Sequence, residues 1–329
     1  MPPLISVIIP VYNGERYIGQ AVRSVLAQTW LPHEIIVIDD GSTDKTRETL
    51  EPFWGQIQYL FQPNQGPSAA RNAGIKVAQG DLICFLDADD LWTPEKLEVQ
   101  LMFMQANPET AMVFADHEEF NREGLVLASY LREKRKAFLA FPVEPGTVDG
   151  AFGKLVIENF ISTPTVMLRK CCLERAGVFD EKIRSVEDRD LWMRISASFP
   201  IACIPRILCK RRMHGENISR KRELTLQGRI RILENNWNRF PLLLSDQVWR
   251  AQLVESYCHL GFLLLQQGRK RDALRVGVKS LYSNLKGRRG WGALAEPSSI
   301  VKSVGLVGAA LLGWNVSRVL WRPLKNAFR

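Results

Sequence analysis

The chain has 329 residues, 46% hydrophobic and 24% charged, the balance of a soluble globular protein, which excludes a disordered or fibrous one and leaves room for one large domain or two. Its net charge of +9 is unevenly spread: residues 1–199 carry 20 Lys and Arg against 28 Asp and Glu, and residues 200–329 carry 24 against 7. Two surfaces with different partners are expected, the basic one suited to anionic lipid or nucleic acid.

In chain order, Ile5–Val11 is an apolar run closed by a Tyr12-Asn13-Gly14 turn, so a buried strand is expected directly after the opening Met-Pro-Pro-Leu. No basic n-region precedes it, which argues against a signal peptide. Apolar residues at 18, 21, 22, 25 and 26 predict a helix within Glu15–Gln28. Ile35–Ile38 is a second strand, Thr43–Phe53 a helix, Ile57–Phe61 a third strand. Ser68 is expected to cap a helix that stops near Gly80, and Thr93 to cap the helix that follows Pro94. Between them Leu82–Leu86 is a fourth strand, and Val113–Ala115 a fifth. This alternation predicts an α/β fold, a mostly parallel sheet with helices on both faces and ligands at the carboxyl ends of its strands. Residues 116–160 carry only a weak pattern, including the charge run Arg132–Lys136, and read as a variable loop region. Thr163–Leu168 reads as a strand, Asp188–Ser198 as a helix, and the chain beyond Arg220 as helical throughout.

The chemistry is concentrated where apolar strands stop. Leu82–Leu86 runs into Asp87, Asp89 and Asp90, three carboxylates that repel one another, more so as water is excluded. A cation is expected there, most simply a divalent metal with oxygen ligands, and with it a phosphate or diphosphate. The six cysteines (Cys84, Cys171, Cys172, Cys203, Cys209, Cys258) have no Cys-x-x-Cys spacing and read as reduced thiols of a cytoplasmic protein.

Six motifs follow in order: Pro10-Val11-Tyr12-Asn13; Asp39-Asp40-Gly41-Ser42-Thr43-Asp44; Asn64-Gln65-Gly66-Pro67-Ser68-Ala69-Ala70-Arg71-Asn72-Ala73-Gly74; Asp87-Ala88-Asp89-Asp90; Gly177-Val178-Phe179-Asp180-Glu181 before Glu187-Asp188-Arg189-Asp190-Leu191-Trp192; and Arg212-Met213-His214-Gly215-Glu216-Asn217-Ile218-Ser219. Together they closely resemble the family 2 glycosyltransferases, inverting enzymes of the GT-A (Rossmann-like) fold, over roughly residues 4–220. The resemblance implies a nucleotide-sugar glycosyltransferase domain in residues 1–220 and leaves 221–329 as a basic helical C-terminal region.

The resemblance also implies roles. Pro10 and Tyr12 line the nucleotide, with Tyr12 beside the base. Asp39 accepts from the base N–H of a uridine-type nucleotide, and Arg71 pairs with the base or the diphosphate. Asp87 lies near the ribose, Asp89 and His214 hold Mn²⁺ or Mg²⁺, and Asp188 is the catalytic base. A single displacement at the anomeric carbon needs a carboxylate to take the acceptor proton and positive charge to stabilise the departing diphosphate. The acceptor is expected to be a glycan or a lipid-linked oligosaccharide.

Several of these residues have plainer readings. Asp90 reads more readily as a cap than as a ligand, and Glu187 or Asp188 can cap the helix they open. Trp92 either lines the acceptor site or covers the sheet. His33, His117 and His259 read as structural. A catalytically inactive nucleotide-sugar-binding regulator is the alternative function, and no nucleic-acid motif is present. In the C-terminal third, Glu255–Leu281 reads as a helical hairpin turning at Gly268, loosely like one tetratricopeptide repeat. Ser303–Ser317 has no charge but is short of the ~20 residues a span needs. It reads either as a core helix or as a membrane-surface helix, whose neighbours Arg318, Arg322 and Lys325 suit an anionic inner leaflet.

Overall fold

All seven residues of the first strand, Ile5–Val11 (β1), are buried, because helices cover both sides of it. Its alternate residues Val7, Ile9 and Val11 face a cluster with Ile18, Ala21, Val22 and Val25 of helix Ile18–Leu26 (α1). The opposite face carries Ile8, which meets helix Pro67–Val77 (α3) at Gly74. The one polar side chain in the strand, Ser6, is satisfied: its hydroxyl donates to Glu34 Oε1 at 2.5 Å and accepts from Gly80 N at 2.8 Å.

The computed structural model describes residues 3–137, 141–215, 221–285 and 297–312. The chain divides into two units, Met1–Asn217 and Ile218–Arg329. In the first unit the strands after β1 are Glu34–Asp39 (β2), Gln58–Phe61 (β3), Leu82–Phe85 (β4), Leu91–Trp92 (β5), Met112–Asn121 (β6), Gly124–Leu127 (β7), Gly146–Thr147 (β8), Val166–Arg169 (β9) and Ile201–Arg212 (β10). They form one sheet in the order β3-β2-β1-β4-β9-β6-β10-β5, with β7 beside β6 and β8 beside β10. β1, β2, β3, β4, β6 and β10 run one way, and the short strands β5, β7, β8 and β9 run against them. The other helices are Thr46–Leu50 (α2), Lys96–Ala106 (α4), Tyr130–Ala137 (α5), Ala151–Ile157 (α6), Cys172–Ala176 (α7) and Glu187–Ser196 (α8). On the α1 side, α2 and α4 add Leu50, Leu97, Leu101 and Met104 to the core. On the other side Phe85 of β4 meets Phe179 and Trp192 at ring separations of 5.3 and 6.5 Å.

Three expectations are corrected. Pro67 and not Ser68 opens α3, after Gly66, and the Ser68 hydroxyl turns instead toward Ile183 O. Glu95 and not Thr93 precedes α4, and the Thr93 hydroxyl lies against Leu208 O. The weakly patterned 116–160 stretch holds the second half of β6, the β6–β7 hairpin and two helices, and the charge run lies on α5. The long strand β10 has no counterpart in the sequence reading. Pro205 lacks an N–H and interrupts its apolar pattern, and the pairing with β6 absorbs it in register shifts around Ile204–Cys209.

The second unit consists of helices Arg222–Arg239 (α9), Asp246–Gln266 (α10), Lys270–Leu285 (α11) and Pro297–Leu312 (α12). α10 and α11 are joined through Gly268, at φ 75°, as expected. α12 is a packed helix over its described side chains: Ser303, Leu306, Ala309 and Ala310 are buried, Leu306 among Val254, Cys258 and Phe262 of α10. The Ser303 and Ser280 hydroxyls lie 2.7 Å apart. Among the described residues no helix is long and apolar enough to cross a membrane. The expectations for residues 313–329, including the basic tail, lie outside the described residues.

The α3–β1 contact yields a test. A Cβ on Gly74 falls 2.5 Å from Ile8 Cγ2, on a branched side chain with no room to turn aside. Gly74→Ala gains about 1 kcal/mol of helix propensity but overpacks the contact, a cost of about 1–3 kcal/mol. A net loss of stability is expected in urea unfolding.

Candidate functional site

The carboxyl ends of β1, β2 and β4 and the N-termini of α3 and α8 supply the site. The β1 and β2 ends are tied together first. Asn13, at φ 51°, accepts from Thr43 N through its Oδ1 (2.8 Å), and its own N–H donates to Ser42 Oγ (2.9 Å). Glu15 N donates to Asp44 Oδ2 and Lys45 N to Glu15 Oε2. Gly41 is at φ 82°, and a Cβ there would lie 2.7 Å from Asn64 N, so only glycine fits between these loops.

Asp39 and Asp40 divide the labour at the end of β2. Both are buried. Asp39 accepts from Ser42 N (2.8 Å) and from the Tyr59 hydroxyl (2.7 Å). Burial and this bond to Asp39 push the Tyr59 phenol up. Asp40 accepts from Gln62 Nε2, Gln65 N and Gly66 N at 2.7–3.0 Å, and so shapes the loop that delivers α3. Pro10 is buried in β1, while Tyr12 stands 54% exposed beyond the strand end, open to a flat ligand.

Arg71 projects from α3 to the centre of the site and is buried. Its Nη2 donates to Asp87 Oδ1 and its Nη1 to Glu187 Oε1, both at 2.8 Å. Phe179 covers the guanidinium at 5.4 Å. The next residue, Asn72, donates to Phe179 O and accepts from Phe179 N, which fixes the Gly177–Glu181 loop against α3.

The expected surplus of negative charge after β4 is present. Burial, then the charge of Asp87, raises the Asp89 carboxyl; the His214 imidazole opposes the shift, with Nε2 2.7 Å from Asp89 Oδ2. Burial, then the charges of Asp89 and Asp87, raises Asp90 further, while Arg212 N donates to it at 2.8 Å. Asp90 therefore anchors β10 and faces away from solvent. Arg212 lies between the Tyr17 and Phe120 rings, at 4.7 and 4.5 Å, and donates to Asp89 O and Gln20 Oε1. Two residues later, His214 stacks on Tyr17.

Among the described residues no three or more His, Cys, Asp or Glu side chains gather as a metal-holding group. The donor chemistry at Asp89 and His214 nonetheless suits a divalent cation: a carboxylate and an imidazole within reach of each other, 29% and 21% exposed, beside a second carboxylate on Asp87. Trp92 is buried, its Nε1 donates to Pro164 O at 2.8 Å, and the Lys96 ammonium lies 3.9 Å from its ring, an arrangement that favours the sheet-covering reading.

At the N-terminus of α8 four successive side chains point four ways. Glu187 binds Arg71. Arg189 donates to Leu155 O and Val156 O at the end of α6. Asp190 accepts from Arg194 Nε at 2.8 Å. Asp188 is left partly exposed, with Asn159 Nδ2 (3.3 and 3.4 Å) and Thr163 Oγ1 (3.3 Å) beside its oxygens. Burial, then the charge of Glu187, pushes Asp188 up to about 6. Val186, the residue before α8, sits at φ 60°, a strained conformation for a β-branched side chain. Neither Asn159 nor Thr163 has a motif around it, and both fall in or beside the weakly patterned stretch.

Comparison with known proteins bears on this arrangement. Residues 6–154 match the model of the glycosyl transferase family 2. A curated glycosyltransferase of Rickettsia bellii is 38% identical over 218 residues, which is 65% of this chain and 29% of that one. The chain spans about a third of the length of the first curated relatives it matches. Chondroitin synthase of Escherichia coli is 26% identical over 73% of this chain and 33% of its own. Among solved structures, residues 1–349 of S. aureus TarS in complex with UDP-GlcNAc superpose with a TM-score of 0.62 at 19% identity, covering 94% of this chain and 92% of that one. The fold is thus the GT-A fold expected from the motifs.

The raised Asp188 makes a signed prediction. A carboxyl whose pKa is higher in the fold than in the unfolded chain lends stability that is fully present below about pH 4 and is lost as pH rises through about 6. Asp188→Asn is therefore expected to raise Tm relative to the original at about pH 7.5, with the difference vanishing near about pH 3.5. Thermal unfolding at the two pH values measures it.

Proposed function

We propose that this chain, whose residues 6–154 form a glycosyl transferase family 2 domain, moves a sugar from a nucleotide-diphosphate donor, UDP-linked, to a hydroxyl with inversion. The observation that carries this reading is the convergence of Asp39, Asp87, Asp89 and Asp188 at the carboxyl edge of the parallel strands, with Tyr12 exposed beside them. The UDP-GlcNAc complex of the structural neighbour supports a UDP-sugar. The chondroitin synthase relative supports a glycan acceptor, free or lipid-linked.

Each residue contributes chemistry that its surroundings support. Asp39 keeps lone pairs beyond the two bonds it already accepts, enough for the N–H of a base lying on Tyr12. Asp87 faces the ribose with its second oxygen. Asp188, with a pKa near 6, is mostly ionised at neutral pH and still basic enough to take the acceptor hydroxyl proton as that oxygen attacks the anomeric carbon. Asn159 and Thr163 aim its carboxylate. Asp89 and His214 are the residues that would hold Mn²⁺ or Mg²⁺. Such an ion, when bound, offsets the charge that grows on the leaving diphosphate.

Two substitutions test the assignment. Asp89→Ala is expected to abolish Mn²⁺-dependent UDP binding in calorimetry, and unchanged binding would remove the cation from this site. Asp188→Asn is expected to keep UDP affinity and to lower turnover by at least about 10²-fold, the usual worth of a general base. Turnover within a few-fold of the original would make Asp188 a helix cap and not the base. An inactive regulator would bind UDP but release no sugar from any UDP-sugar tried.

We further propose a cytoplasmic protein whose basic C-terminal region meets an anionic membrane face. The support is the excess of 24 basic over 7 acidic residues after residue 199. Because α12 is packed helix, the test removes only residues 313–329. Co-sedimentation of the intact chain with phosphatidylglycerol vesicles is expected at low salt, to be lost at high salt, and to weaken in the shortened chain. Each basic residue near such a surface is worth about 1 kcal/mol.

A further inference from the structure

The guanidinium of Arg71 joins two carboxylates that belong to different tasks. One, Asp87, follows β4 two residues before Asp89. The other, Glu187, opens α8 and immediately precedes Asp188. Arg71 is 5% exposed, its face is covered by Phe179, and each terminal nitrogen is turned to one of these carboxylates. A group so placed links its two partners, whatever else it meets when a donor binds.

We propose that Arg71 is a positioning residue that couples the donor-side carboxylate Asp87 to the N-terminus of α8, and so to the placement of Asp188. The inference rests on the reading of Asp188 as the base. The backbone makes the coupling mechanical. Val186 is held in the left-handed region, where a β-branched residue stays only if its surroundings over-determine it. Two ties hold the helix end that follows: Arg189 to the carbonyls of Leu155 and Val156, and Glu187 to Arg71. The first is a fixed bond to α6. The second is shared with Asp87 at 2.8 Å on each arm. When Asp87 turns toward a donor or its cation, the guanidinium is left to Glu187 alone, and the first turn of α8 is drawn toward α3.

The coupling is also electrostatic. The charged groups bearing on Asp188 are Glu187 on its own helix, which raises its pKa, and Arg71 from α3, which lowers it. Asn159 and Thr163, from the segment before β9, are neutral. A redistribution of Arg71 between its partners therefore changes the proton affinity of Asp188 without any group near Asp188 being altered.

The test is a double-mutant cycle read on the free protein. The Asp188 carboxyl is titrated by ¹³C NMR in aspartate-labelled protein, its resonance assigned with D188N, in the original chain and in D87N, E187Q and the double variant. D87N and E187Q are each expected to lower the Asp188 pKa. The double variant is expected to depart from the sum of the single shifts by about 0.4 unit or more, the smallest interaction that neighbouring groups sharing a partner show. A smaller departure means that the two carboxylates act independently, and overturns the proposal. A purely structural Arg71 would lower the yield of folded protein without making the shifts non-additive. R71K keeps one charge but cannot fork to both carboxylates, and should abolish the non-additivity; if R71K does not fold, the four-member cycle decides alone. Turnover of D188N separately decides whether Asp188 is the base, so the two readings fail by different measurements.

Discussion

Seven carboxylates, those of Asp39, Asp40, Asp87, Asp89, Asp90, Glu187 and Asp188, gather at one edge of the sheet, and like charges at such distances repel. The edge holds together because each is given its own compensation. Asp39 and Asp40 take backbone N–H groups and neutral side chains. Asp87 and Glu187 share Arg71. Asp89 has His214, and Asp90 the backbone of Arg212. Asp188 has the long bonds of Asn159 and Thr163, the N–H of Arg189 and the charge of Arg71, and at its partly exposed position it is pushed up to about 6. A partly exposed carboxylate whose proton affinity is raised in this way is suited to accept a proton.

The scaffold supplies this placement through backbone geometry more than through side-chain bulk. Strand ends β1 and β2 are locked by Asn13, Ser42 and Thr43, and Gly41 lets the Asn64 loop pass within contact distance. Asp40 then fixes where α3 begins, and α3 fixes Arg71 and Asn72. Each loop is thereby oriented by the one before it in the sheet, so a displacement at the β2 turn would be felt at α8. Such sites are precise because they stand on element ends held by second partners, not on free loops.

The two units differ in the way they are stabilised. The first buries a sheet between two helical layers, with polar side chains in the interior matched to backbone partners, as Ser6, Arg169 and Arg194 are. The second is an all-helical unit whose core is small, and α12 completes it by placing Leu306 among residues of α10. The run without charge that follows Lys302 in α12 fits this packing. The basic excess of the C-terminal third is carried by exposed side chains such as Arg271, Arg275 and Lys279 on α11.

The sequence by itself determined the parallel half of the sheet, because full burial between helices leaves unbroken apolar runs that end abruptly, as at Val11, Asp39 and Leu86. It determined which carboxylates matter for the same reason: charges at strand ends stand out against apolar runs. It could not determine β10, whose apolar pattern Pro205 and three terminal cations interrupt and whose pairing with β6 joins residues about 90 apart. Nor could it decide between the two readings of Trp92, or whether Glu187 or Asp188 faces the cleft, because adjacent residues on a helix differ by about 100° and only the neighbours say which direction is open. Tertiary structure alone decided that Arg71 reaches Asp87 and Glu187 at once. The two carboxylates lie 100 residues apart in the chain, and only the folding of α3 against α8 brings one guanidinium within 2.8 Å of both.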